Sequence, residues 1–136
     1  MKPLMHTDRK READEPYPEQ EPTEKILAAA FKVQNTLGRG FLEKVYENAL
    51  AVELSRGGVR LEQQKALQVN SEGTVVGEYQ ADLVVEGRVI VECKAVSQID
   101  AVHEAQLLNY LKATGIRVGL LVNFGRPKIQ YRRFVV

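Results

Sequence analysis

The chain has 136 residues, 44% of them hydrophobic and 27% charged, with a formal net charge of +1. A chain of this length and composition makes one globular domain that buries a core without staples. Its single cysteine excludes an internal disulfide framework, and no apolar run approaches the roughly 20 residues of a membrane span. The N-terminus has no apolar segment of the kind a secretory signal needs, so the expectation is a soluble, cytoplasmic protein with no membrane contact. Residues 1–23 carry four basic and six acidic side chains, which leaves about +3 on the remainder. That balance permits contact with a phosphate backbone without demanding it.

In chain order, residues 1–22 hold four of the five prolines, mixed with charges, and only Leu4, Met5 and Tyr17 offer much to bury. They read as a disordered N-terminal tail, with a docking arm as the alternative. One domain is then expected over residues 23–136. Thr23 suits a helix N-cap, and Ile26, Leu27, Ala30, Phe31, Gln34 and Leu37 follow helical spacing up to Gly38. After a tight joint, Gly38-Arg39-Gly40, a second helix is expected from about Phe41 to Arg56, stopped by Gly57 and Gly58. Beyond it the period changes to that of strands. "VRLEQQKALQV" and "TVVGEYQADLVVE" flank the turn "NSEG", and "RVIVECKAV" follows. A helix from near Asp100 to Thr114 ends at Gly115, "RVGLLVNFG" is apolar enough for a central strand, and "KIQYRRFVV" reads as a last edge strand. This order predicts an α/β fold, a mixed sheet with helices packed on it.

Three charges stand inside the apolar stretch "ADLVVEGRVIVECKAV": Asp82, Glu92 and Lys94. Burying them is expensive without partners. Side chains alternate faces along a strand, so the hairpin loop decides whether the two carboxylates meet. A two-residue loop sets Asp82 opposite Val91. A three-residue loop, Glu86-Gly87-Arg88, sets Asp82 directly opposite Glu92, and Gly87 suits it because glycine tolerates positive φ. Facing carboxylates repel by a few tenths to about 1 kcal/mol. A divalent cation reverses that sign, since two carboxylates and a backbone carbonyl make an oxygen-rich site suited to Mg²⁺. Lys94, two residues on, could then orient or deprotonate the attacking water, or stabilise charge on a phosphate. The plainer alternative is a Glu92–Lys94 ion pair at a sheet edge with Asp82 in water, and spacing alone does not choose between the two.

The flanking helices add candidates. Glu43, three residues after Gly40, falls at the N3 position of the expected second helix, where it complements the helix dipole or adds a third carboxylate; Tyr46 and Glu47 share its face. On the later helix His103, Gln106 and Tyr110 form one stripe beside Leu107, Leu108 and Leu111. His103 reads as a polar border of the core. Gln106 and Tyr110 form an amide–phenol pair able to hold a base or a phosphate. Cys93 points away from Glu92 and Lys94 and reads as a small buried hydrophobe.

"GFLEKVYENAL" contains Gly40, Glu43 and Tyr46 in the pattern G-x-x-E-x-x-Y. Together with "ADLVVEGRVIVECKAV", "HEAQLLNYLKATG" and "VGLLVNFG", in that order from Thr23 to Val136, it resembles the GxxExxY protein family of the PD-(D/E)XK nuclease superfamily. Arg39 stands where many relatives have proline, and Ala81 replaces the proline before the aspartate. The resemblance implies a restriction-endonuclease-like mixed β-sheet between α-helices and a Mg²⁺-dependent phosphodiesterase site, with Mn²⁺ as a possible substitute. It implies Asp82, Glu92 and Lys94 as the catalytic set. Asp82, Glu92, the Cys93 carbonyl and Glu43 become metal ligands, the last directly or through water. Gln106 and Tyr110 match the Q-x-x-x-Y element of RecB-like exonucleases and would contact a DNA or RNA substrate. The rival expectations are a non-catalytic module that keeps the fold and binds nucleic acid or protein, and an interaction protein working through its tail.

Overall fold

The computed structural model describes residues 2–5 and 18–136. Its elements run β1 (Lys2–Met5), α1 (Gln20–Leu37), α2 (Glu43–Arg56), β2 (Leu61–Ser71), β3 (Thr74–Val85), β4 (Val89–Lys94), α3 (Ala101–Thr114), β5 (Val118–Asn123) and β6 (Gln130–Val135). The six strands form one sheet in the order β1-β6-β5-β4-β3-β2. β4 and β5 are parallel and joined through α3, while every other neighbouring pair is antiparallel. β5 reads apolar because it is central: all six of its residues are buried.

Each face of the sheet has its own core. Ile26, Ala30 and Val33 of α1 and Leu50 and Leu54 of α2 pack against Leu83, Val91, Cys93, Leu120 and Val122. On the other face Leu107 and Leu111 of α3 meet Val84, Ile90, Leu121 and Phe134. Burying each of the Val, Leu, Ile and Phe side chains contributes about 1.5–3 kcal/mol. β3 changes sides along its length. Leu83 and Val85 belong to the α1–α2 face, whereas Tyr79 and Ala81 pack with α3. Asp82 marks the crossing. Opposite it, the β2–β3 ladder pairs Gln63 with Leu83 and Lys65 with Ala81 but skips Gln64, whose φ is +54°.

Four expectations need correction. The last strand is not at an edge: β1 pairs antiparallel with β6, from Lys2↔Val135 to Met5↔Arg132. Pro3, lacking an N–H, is tolerated because β1 itself is the edge strand. Of the residues expected in a tail, 2–5 form β1 and 20–22 belong to α1, while Met1 and residues 6–17 lie outside the described residues. Thr23 is no N-cap. It sits in the first turn of α1, 2% exposed, and Pro22 before it loses nothing there because first-turn N–H groups have no helical partner.

α2 also starts later than the spacing suggested, so Glu43 is its first residue rather than its third, with Leu42 as an N-cap that offers no side-chain bond. Tyr46 explains the delay. Its hydroxyl donates to the Gly38 carbonyl at 2.6 Å and accepts from the Phe41 N–H at 3.2 Å, which holds the joint extended. Gly40 at φ +110° takes a backbone conformation closed to other residues.

Candidate active site

Val85 pairs with Val89 across the three-residue loop Glu86-Gly87-Arg88, in which Glu86 and Gly87 have φ of +56° and +66°. Regular pairing continues to Leu83↔Val91. The next step of this register sets Asp82 opposite Glu92, and there side chains replace the ladder. The Asp82 N–H donates to Glu92 Oε2 at 2.9 Å, and the Cys93 N–H donates to Asp82 Oδ2 at 2.8 Å. Each carboxylate thus binds the other strand's backbone, and both occupy one gap between β3 and β4.

Burial, and then the charge of Asp82, push Glu92 up to about 7; the Asp82 N–H and Lys94 oppose the shift without cancelling it. Asp82 is raised too, first by burial and further by the charges of Glu47 and Glu43, against the Cys93 N–H and Lys94. Lys94 closes β4, half-buried, and its carbonyl accepts from the Phe124 N–H at 2.8 Å. Asn123, fully buried beside it, accepts from the Val96 and Gly125 N–H groups and donates to the Val96 carbonyl and Gln130. The chain leaving Lys94 is therefore fastened at both sides. Phe124 stacks on Tyr46, centroids 4.8 Å apart, so two of the resemblance's motif residues serve packing. The Cys93 side chain is fully buried in the α1–α2 core, and burial raises its thiol well above the ordinary range.

On α2, Glu43 is exposed and reaches the pair through its charge on Asp82. One turn on, Glu47 is 4% exposed. Its carboxylate accepts from Gln63 at 2.7 Å, from Gln64 at 3.0 Å and from Lys44 at 3.0 Å. Burial would raise its pKa, but these donors outweigh it and hold the group below the ordinary range. Gln64 also donates to Asp82 Oδ1 at 3.3 Å, which joins Glu47 to the β3–β4 pair.

On α3, Gln106 hydrogen-bonds the Tyr110 hydroxyl, and burial followed by the Glu92 charge raises Tyr110. Tyr110 lies flat against Tyr79 of β3, with centroids 3.2 Å apart and planes 16° apart. The Tyr79 hydroxyl is buried near Glu92 and shifted upward by burial. His103 acts locally, closing a capping box with Asp100 at the start of α3.

The fold thus brings Asp82, Glu92 and Lys94 to one end of β3 and β4, with Glu43 and Glu47 on the α2 side and Tyr110 on the α3 side. No group of three His, Cys, Asp or Glu side chains able to hold an ion by themselves occurs among the described residues. The donor set fits a hard divalent cation nonetheless, because two adjacent carboxylates, both raised by burial, form no ion pair among the described residues. Gln64 and Asn123 are the residues that spacing did not single out, and Glu47 was marked only as sharing the face of Glu43. A polar pair, Gln63-Gln64, in a strand and an asparagine in an otherwise apolar one were the signals available. A cleft of about 610 Å³ lined by Ser55, Arg60, Leu61 and Glu86 opens near the β3–β4 turn and includes none of the candidate residues.

A crystal structure described as that of SSO0001 shares the fold, with a TM-score of 0.54 and 19% identity over 68% of this chain. The chain spans about half the length of that protein, 48%. No curated protein matches the sequence. The family model of the PD-(D/E)XK nuclease superfamily matches residues 20–134, nearly the whole described domain. Its restriction-endonuclease-like sheet and the pattern of acidic strand residues followed by Lys94 agree with that match, and the chain belongs to the PD-(D/E)XK nuclease superfamily.

Proposed function

We propose that this protein is a divalent-metal-dependent nuclease that hydrolyses phosphodiester bonds of nucleic acid. The observation that carries the reading is the reciprocal clasp of Asp82 and Glu92, in which one buried carboxyl is pushed to about 7 by burial and its neighbour's charge. Such a pair is unfavourable by itself and gains from a cation. Asp82, Glu92 and the Cys93 carbonyl would hold Mg²⁺, or Mn²⁺ in its place, with Glu43 acting through water. When bound, the cation supplies Lewis-acid polarisation of the phosphate and makes water more acidic.

The chain's own residues do the rest. Lys94 Nζ orients the attacking water and stabilises negative charge on a non-bridging phosphate oxygen. Water attacks phosphorus and gives up one proton to solvent, the bond to the leaving oxygen breaks, and that oxygen takes up a proton from solvent. Gln106 donates to, and Tyr110 stacks beside, the flanking nucleotide. The GxxExxY resemblance of Gly40, Glu43 and Tyr46 supports the same reading.

The test is cleavage of labelled single- and double-stranded DNA and RNA with Mg²⁺ or Mn²⁺, wild type beside Lys94→Ala. The variant should lose cleavage by a factor of about 10² or more while its circular dichroism stays unchanged. Equal cleavage by the two proteins removes Lys94 from the reaction. Nucleic-acid binding without any cleavage leaves the non-catalytic module as the function.

A further inference from the structure

Gln64 breaks a local rule and holds a central place. It is a non-glycine residue at φ +54° within a strand, and the β2–β3 ladder skips it between Gln63 and Lys65. Its amide nitrogen lies 3.0 Å from each Glu47 oxygen and 3.3 Å from Asp82 Oδ1. One NH₂ group with two hydrogens is therefore shared among three carboxylate oxygens. The other Asp82 oxygen is taken by the Cys93 N–H. Both oxygens of Asp82 thus have a donor, and the aspartate is held in one rotation about its side chain.

We infer that Gln64 is a positioning residue that orients Asp82 for cation binding and cleavage, with Glu47 as its anchor; the inference rests on the nuclease reading. Glu47 is well suited to anchoring. It is almost fully buried, is held by Gln63 and Lys44 as well, and joins the amide to the rigid helix α2. Without the amide, Asp82 Oδ1 and the Glu47 carboxylate would face each other with no donor between them, and Asp82 would turn away. The register places Gln64 opposite Asp82, between Gln63↔Leu83 and Lys65↔Ala81, within reach of a five-atom side chain, and its positive φ is the kind of backbone that clusters at functional sites.

A purely structural role for this position makes the opposite demand, since glycine adopts a positive φ without strain. The deciding variant is therefore Gln64→Gly in the full chain. Thermal melting, Mn²⁺ titration by calorimetry, and kcat and KM on a labelled substrate are the readouts. The expected result is a melting temperature equal to or above wild type, Mn²⁺ affinity lower by about tenfold or more, and kcat reduced by at least about tenfold with KM for nucleic acid within about twofold. Gln64→Asn, which accepts the same backbone but is one methylene too short, should follow it. Glu47→Gln should lose Mn²⁺ affinity by a smaller factor. A folded Gln64→Gly protein with wild-type Mn²⁺ affinity and kcat overturns the inference while leaving the nuclease reading intact. Failure of both Gln64 variants to fold also overturns it, in favour of a structural role. Wild-type protein that neither binds Mn²⁺ nor cleaves overturns the nuclease reading, and the inference with it.

Discussion

A glutamate 7% exposed with an aspartate across the strand gap ionises reluctantly: burial first, and Asp82's charge second, bring Glu92 to about 7. A carboxyl whose folded pKa is raised binds its proton more tightly in the folded than in the unfolded chain. Its contribution is therefore greatest below the ordinary glutamate range and declines as pH rises from about 4.5 to about 7, beyond which it is flat. The loss is on the order of 3 kcal/mol at most, from the usual conversion of a pKa shift into energy. Glu47 has the opposite sign: it is lowered, so its contribution is lost as pH falls below the ordinary carboxylate range. Urea unfolding without metal should show stability falling between pH 5 and about 7, and Glu92→Gln should flatten that slope. An unchanged slope in the variant would place the titration elsewhere. Of these residues, sequence spacing pointed to Asp82, Glu92 and Lys94 because charge in an apolar strand is unusual. It did not point to Gln64, because a glutamine in an amphipathic strand is ordinary and its left-handed backbone has no sequence mark.

At the scale of elements, the α1–α2 joint sets where Glu43 stands. Tyr46 is fully buried, stacks on Phe124 of the β5 end, and bonds both the Gly38 carbonyl and the Phe41 N–H. Tyr46→Phe keeps the ring and removes both bonds, leaving the part-buried joint unsatisfied. It should lower stability by about 1–3 kcal/mol in urea unfolding. Because it frees the start of α2, it should also reduce cleavage more than Mn²⁺ affinity; an unchanged melting curve would show the hydroxyl to be idle. Helices and strands were largely legible from period and glycine punctuation, and the odd-numbered hairpin loop could be posed as a geometric alternative. The start of α2 was not legible, since its delay comes from a hydroxyl five residues into the segment bonding back to the joint.

For the whole molecule, the sheet places the carboxylate pair where α2 and α3, on opposite faces, both reach its end. A cation bound there should stabilise the fold by mass action. At pH 7.5, millimolar Mn²⁺ should raise the melting temperature by several degrees in wild type and by much less in Asp82→Asn. Equal shifts in both proteins would place any bound ion elsewhere. No helix among the described residues is long and apolar enough to cross a membrane. The edges are finished differently: β1 covers one side of β6, and β2 carries Glu62, Gln63 and Lys65 along the other.

Period and glycine placement determined the order of the elements from α1 onward and the α/β class, and the charges embedded in apolar strands marked Asp82, Glu92 and Lys94 as candidates, because these depend on neighbours within a few residues. Only the tertiary structure decided that β1 shields β6, that Glu47 rather than Glu43 is the buried acid of α2, and that Gln64 bridges it to Asp82. Those outcomes depend on residues distant in sequence meeting in space: Lys2 with Val135 across the β1–β6 ladder, and Gln64 with Glu47 and Asp82, 17 and 18 positions away.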